Sequence, residues 1–137
     1  MTIPQQVLEK MWANDHFSQW LDLKIDAITE GVCRLHFIVR KEMLNGHQTV
    51  HGGILFSAAD SAFAFACNSH GRLAVGLEVS ISYTKSAQQG EILTVEAQEV
   101  YLGNKTSVYD VKIRNEQAEV VAVFKGTAYR TSKNVLG

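Results

Sequence analysis

Apolar residues recur along this chain with two different periods, and the change of period divides it into elements. Val7, Leu8, Met11 and Trp12 follow Pro4 at helical spacing, and a proline suits the first turn of a helix, so about residues 4–14 are predicted to form a short amphipathic helix. Leu21, Leu23, Ile25 and Ala27 then alternate with Asp22, Lys24 and Asp26. After Thr29-Glu30-Gly31 the alternation resumes, with Cys33, Leu35, Phe37 and Val39 set against Arg34, His36 and Arg40. A period of two puts one set of side chains on one face, which predicts a β-hairpin with a single buried face. The same period returns in four runs: Leu77, Val79, Ile81, Tyr83; Leu93, Val95, Ala97; Tyr109, Val111, Ile113; and Val120, Ala122, Phe124. Turn residues at Gly90, Gly103-Asn104 and Asn115-Glu116 separate them. These connections are too short for crossover helices, so the strands are expected to be antiparallel.

Between the two groups of strands lies Gly52 to His70, GGILFSAADSAFAFACNSH, which has almost no polar face. A helix that is apolar all round either spans a membrane or is enclosed by protein, and the length of this one with an aspartate at its middle favours enclosure. Two strands, one buried helix and four more strands predict an α+β fold, an antiparallel β-sheet wrapped around a long central α-helix. The chain has 137 residues, no Gly/Ser/Pro-rich linker and no repeat, so residues 1–137 are expected to form one domain.

Charge narrows the function. With 13 basic and 14 acidic residues the net charge is −1, and no basic stripe offers a phosphate footprint, so nucleic acid is not an expected partner. Neither a signal-peptide pattern nor a run of the ~18 apolar residues of a membrane span occurs, which predicts a soluble, cytoplasmic chain with no membrane partner. Cys33 and Cys67 lack the spacing of a zinc or redox pair and are read as buried free thiols.

Asp60 is the only charged side chain between Gly52 and Ser69. Burying a carboxylate costs several kcal/mol, and aspartate is a poor helix former, so its presence there points to function more than to a surface ion pair. Immediately upstream, Asn45-Gly46-His47-Gln48-Thr49-Val50-His51-Gly52-Gly53 is a polar, glycine-rich loop entering the helix. A helix start offers unpaired N–H groups, and Gly52 and Gly53 allow a ligand close to them, an arrangement that can hold an oxyanion. Taken alone, the two glycines do no more than make a tight entry. Gly53 and Asp60 are seven residues apart, facing the same way but separated by roughly 10 Å of helix rise. One chain therefore struggles to bring both to one carbonyl, whereas two helices packed antiparallel across a two-fold axis bring Gly53 of one copy opposite Asp60 of the other.

The run N-G-H-Q-T-V-H-G-G continuing to A-D at Asp60, followed by S-A-F-A-F-A-C-N-S, resembles the phenylacetic-acid-degradation thioesterases of the hotdog fold. The resemblance extends through Tyr83 to Glu91, Gly103 to Val111 and Val121 to Arg130. It implies an acyl-CoA thioesterase acting on aryl-substituted or phenylacetyl-type substrates, with no metal and no cofactor other than coenzyme A as part of the substrate. It also implies a homo-oligomer, a dimer or a dimer of dimers (a homotetramer), with active sites at the dimer interface. By the same resemblance the Gly53 N–H polarises the thioester carbonyl, and Asp60 of the neighbouring subunit attacks it or activates a water. The resemblance also matches Asn45 and His51 to positions that shape the site and help orient substrate or water. Gly76 departs from a water-orienting serine of some relatives, a role for which Ser80 or Ser82 would have to substitute.

Other residues carry weaker signals. His47 and His51 have HxxxH spacing, but in a loop ahead of the helix, so no metal is expected. Lys85 and Lys105, with Lys125 and Arg130, are candidates for the phosphates of coenzyme A, although scattered lysines are ordinarily solvated surface. Phe56 and Phe63, with Phe65, are candidates for an acyl pocket, although core packing is their default. Two other functions stay open at this point: a non-catalytic acyl-CoA-binding module, which needs no helix acid, and a dehydratase or hydratase using His51 with Asp60.

Overall fold

A computed structural model describes residues 1–137. Helix α1, Ile3–Asn14, begins at Thr2, whose hydroxyl accepts from the Gln5 N–H at 3.3 Å while Gln5 Oε1 accepts from the Thr2 N–H at 2.9 Å. A second helix, α2 (His16–Trp20), occupies what the alternation of Leu21 and Leu23 presents as the approach to a strand. Asp15 starts it by accepting from the backbone N–H of Ser18, and Asp22 turns the chain with φ 58°. Leu21 and Leu23 are buried as expected, but in this turn, so strand β1 begins only at Lys24 and ends at Thr29. Strand β2 is Val32–Ile38.

After a short 3-10 turn at Lys41–Met43 and the polar loop comes α3, Gly52–Asn68. Then follow β3 (Arg72–Tyr83), β4 (Ile92–Leu102), β5 (Thr106–Arg114) and β6 (Val120–Asn134), the first and last much longer than their alternating cores suggest. All pairs are antiparallel, in the order β1-β2-β4-β5-β6-β3. The chain leaves α3 to lay β3 on the far edge of the sheet, and one side of this edge strand is unpaired.

Helix α3 crosses the inner face of the sheet, burying Leu55, Ala58, Ala59, Ala62, Phe63 and Ala66. Phe65 points the other way, to Trp12 of α1, with ring centroids 6.3 Å apart. The far end of α3 is fastened by polar side chains. Asn68 donates to the carbonyls of Ala64 and Ala74 at 2.9 and 3.0 Å and accepts from the Ala74 N–H at 2.8 Å, which fixes the start of β3. Ser69 Oγ accepts from the Gly31 N–H at 2.7 Å, which ties the same end to the β1–β2 turn.

The expectation that α3 is enclosed on every side is not met by a single chain. Gly53, Ser57, Asp60 and Ala64 form an open stripe, with Gly53 and Asp60 exposed. Glycine, serine and alanine read as part of a continuous apolar run, yet they have little side chain to bury. Asp60 is thus not a buried charge here but one on an open face.

Phe63 sets how closely helix and sheet approach. Its ring lies between Tyr109, met edge-on, and Phe124, met at a tilt, at centroid distances of 5.7 and 5.8 Å, and covers Gly126 of β6. A β-carbon at Gly126 would lie 2.7 Å from Phe63 Cε1 and 2.8 Å from Cζ. Tyr109 and Phe124 flank the ring, so Gly126→Val is expected to lower stability by about 1–3 kcal/mol, the usual cost of overpacking a core. An unchanged urea midpoint would count against this packing.

Candidate active site

Two parts of α3 come together with residues from outside it to make a polar start and an apolar groove. At the start, the side chain of Asn45 organises the loop: its Oδ1 accepts from the N–H groups of His47 and Thr49 at 2.8 and 3.2 Å and from the Thr49 hydroxyl at 3.3 Å. The His51 N–H donates to the Met43 carbonyl at 2.7 Å, which delivers the chain into the helix. His51 is the N-cap, and its Nδ1 accepts from the Gly53 N–H at 2.8 Å. The donor expected to meet a substrate carbonyl therefore has an imidazole acceptor within its own chain.

Tyr83, the last residue of β3, completes this end. Its hydroxyl donates to the Gly52 carbonyl at 3.0 Å, and its ring lies against Gly52 so closely that a β-carbon there would be 3.0 Å from Tyr83 Cζ. A side chain at Gly52 would therefore have to displace the Tyr83 ring. The sequence places Tyr83 at the end of an alternating strand and at the start of a stretch of the resemblance, without a role at the site; a hydroxyl closing a run of Leu, Val and Ile was the available signal.

Two turns further along α3, Asp60 faces a groove of about 560 Å³ lined by Phe56, Ala64, Gly76, Leu77 and the edge of Phe63. The carboxyl makes no hydrogen bond within the chain. Although open to solvent, it is held above its ordinary value of 3.8, first by the desolvating protein around it and then by the negative charge of Asp15. Glu78 also lines the groove, and no lysine or arginine does. Asp15 is fixed in place by Ser18, which donates its hydroxyl to Asp15 Oδ2 at 2.7 Å and also contacts Ser61 Oγ of α3 at 2.8 Å. A larger cleft of about 670 Å³ lies against α1 and Leu136 and contains none of these groups.

The remaining expected residues are dispersed. Phe63 is core, with only its edge reaching the groove, whereas half-buried Phe56 lines it. Ser80 pairs in register with Lys125 and shares its outer face, because the next pair, Ile81 and buried Phe124, points inward. It does not reach Asp60 of its own chain, and Ser82 shares that outer face. Lys85 follows β3 and pairs with Glu119 at 3.6 Å, while Lys105 lies in the β4–β5 turn at the opposite end of the sheet. Arg130 donates to the Gly103 carbonyl at 2.6 Å. His47 is exposed, and no three His, Cys, Asp or Glu side chains converge as a metal site. Cys33 and Cys67 are free and buried, and burial pushes both thiols up to about 12.

The family model of the thioesterase superfamily matches residues 47–122, from the polar loop through α3, β3, β4 and β5 to the start of β6. This chain belongs to the thioesterase superfamily. As a member it is a thioester hydrolase with the hotdog fold, the sheet wrapping the central helix. It is 45% identical over 130 residues to a putative esterase of Archaeoglobus fulgidus, a match covering 95% of this chain and 84% of that protein. It is also 41% identical over 127 residues to the acyl-coenzyme A thioesterase PaaI of Escherichia coli, covering 93% of this chain and 91% of that one. The crystal structure of E. coli PaaI, from the phenylacetic acid degradation operon, superimposes with a TM-score of 0.94 at 39% identity over 96% of both chains. A hypothetical thioesterase from Streptococcus pneumoniae, solved with coenzyme A, does so with a TM-score of 0.79 at 28% identity over 82% of this chain and 88% of that one. No helix here is long and apolar enough to cross a membrane.

A raised carboxyl pKa is also a statement about stability. The folded chain disfavours ionised Asp60, so the group costs stability above its folded pKa, and the cost is relieved as pH falls through that value toward the ordinary 3.8. Asp60→Asn is expected to melt at a higher temperature than wild type at about pH 7.5, with the gap closing toward about pH 4. Melting scans across that range check it; a variant less stable at neutral pH would contradict the electrostatic account.

Proposed function

We propose that residues 1–137 act as an acyl-CoA thioesterase domain of the PaaI type, hydrolysing aryl- or phenylacetyl-type thioesters to the free acid and coenzyme A. The observation that carries this reading is Asp60, a carboxylate with a raised pKa and no cation beside it, facing an apolar groove on the same stripe of α3 as the Gly53 N–H. Asp60 is the nucleophile, or the base that removes a proton from an attacking water. As the new C–O bond forms at the thioester carbon, the carbonyl electrons move to oxygen, and the Gly53 N–H supports that charge. Collapse of the intermediate restores the carbonyl and expels the coenzyme A thiolate, which takes up a proton; where water attacked, the free acid results directly, and where Asp60 attacked, a water then cleaves the mixed anhydride to release the acid and restore the carboxylate. His51 yields the Gly53 N–H to the incoming oxygen, and Asn45 keeps the loop in the shape that presents it. No metal or separate cofactor is required by this chemistry.

The site is shared between subunits in this proposal. Roughly 10 Å of helix rise separates Gly53 from Asp60 in one chain, too far for both to serve one carbonyl. The open stripe of α3 lies beside the unpaired edge of β3, where Val75 and Leu77 are 50% and 64% exposed. Such an edge favours pairing with a second copy, and the same pairing covers the stripe. The family resemblance further supports a dimer of dimers. Lys85 and Lys105, at opposite ends of one sheet, would meet the phosphates of one coenzyme A only from different subunits, so they enter the proposal as secondary contacts.

Assays with a panel of acyl-CoA thioesters and thiol detection test the reading. Asp60→Asn should keep the fold and lose at least ~100-fold in kcat, the scale of a missing general base or nucleophile. Near-normal turnover would sink the assignment, and binding without thiol release by wild type would favour a non-catalytic module. A second experiment tests the shared site: inactive Gly53→Val and Asp60→Asn chains, mixed and exchanged, should recover roughly a quarter of wild-type activity, since half the dimers are mixed and each has one intact site. Verified heterodimers as inactive as their parents would exclude an intersubunit site.

A further inference from the structure

The peptide between Gly52 and Gly53 is held at both ends. One planar unit contains the Gly52 carbonyl and the Gly53 N–H, so whatever orients the first also orients the second. The Tyr83 hydroxyl donates to the Gly52 oxygen at 3.0 Å, and His51 Nδ1 accepts from the Gly53 nitrogen at 2.8 Å. The result is a continuous chain of hydrogen bonds from phenol through peptide to imidazole. Consecutive glycines are the most freely rotating pair a backbone offers, and a donor placed by them needs an external restraint. Tyr83 supplies it from β3, outside the helix and 31 residues away along the chain. Its ring also packs on Gly52, where a β-carbon would sit 3.2 Å from the Tyr83 hydroxyl oxygen and 3.0 Å from Cζ.

We propose that Tyr83 is a positioning residue for thioester hydrolysis: its hydroxyl, bonded to the Gly52 carbonyl, aims the Gly53 N–H at the substrate carbonyl and makes it a stronger donor. The inference rests on the reading of Gly53 as the oxyanion donor. A hydrogen bond to a peptide oxygen draws electron density from the nitrogen and so polarises its N–H, as cooperative chains of hydrogen bonds do. When the substrate oxygen takes the place of His51 Nδ1, the Tyr83 bond persists at the other end of the peptide. The benefit grows as the carbonyl becomes an oxyanion, so it belongs to the transition state rather than to ground-state binding.

The test is Tyr83→Phe, which keeps the ring against Gly52 and removes only the hydroxyl. The expected result is a kcat lower by about three- to tenfold, less than the ~100-fold or more lost with a direct oxyanion donor. Melting temperature and affinity for a coenzyme A thioether lacking the carbonyl should stay at wild-type values, because neither involves an oxyanion. Wild-type kcat in Tyr83→Phe overturns the proposal. So does a kcat loss matched by weaker thioether binding and a lower melting temperature, which would mark Tyr83 as a structural wall. Gly53→Val separates this failure from that of the underlying reading: if it still turns over, the oxyanion assignment itself is wrong, whereas an inactive Gly53→Val beside an unimpaired Tyr83→Phe removes only the role of Tyr83.

Discussion

A phenyl ring lying on bare backbone sets the distance between helix and sheet in this protein, and the site depends on that distance. Phe63 covers Gly126 with no room for a β-carbon, and Tyr109 and Phe124 grip its sides. With the middle of α3 seated this way, Asn68 and Ser69 fasten its far end to β3 and to the β1–β2 turn. The near end is then held by Tyr83 from the other end of β3. One strand thus grips both ends of the helix, so the rotation of α3 about its axis is fixed. That rotation turns Gly53 and Asp60 to the open side and the bulky residues to the sheet.

The open side is electrostatically one-sided. Asp60, Asp15 and Glu78 lie around it without a cation, so the raised pKa of Asp60 follows from partial desolvation by the surrounding protein and from its acidic neighbour, which itself is anchored through Ser18 to Ser61. A carboxylate that gains little from its surroundings is left reactive toward an electrophilic carbon. The cost in stability is bearable because the groove still admits water in the single chain.

At the other end of the stripe the local charge is of the opposite kind. There a helix start and the N–H of Gly53 favour negative charge, and His51 Nδ1 accepts from that N–H. Asp60 and the Gly53 N–H therefore sit on one helix face but out of reach of each other, and the proposed two-fold pairing along β3 would bring them together. The exposed Val75 and Leu77 give that edge an apolar reason to pair.

The amino-acid sequence by itself determined the six strands, their antiparallel sense and the central helix, because periods of two and of 3.6 are local properties that every few residues repeat. It also marked Asp60 and the Asn45–Gly53 loop, since a single acid in an Ala/Phe helix and a glycine-rich entry stand out against their neighbours. What it did not disclose was which face of α3 stays open: Gly53, Ser57 and Ala64 count as apolar or neutral in a pattern, and only the seating of Phe63 decides where they point. Helix α2 was hidden because Leu21 and Leu23 alternate within a turn that Asp22 makes by adopting a left-handed backbone. Ser80 looked available and lies on the outer face, since the pairing register with β6 assigns it there. The bonds of Tyr83 to Gly52 and of Ser18 to Ser61 join residues 31 and 43 positions apart, and no local pattern encodes contacts that exist only once the sheet has closed over the helix.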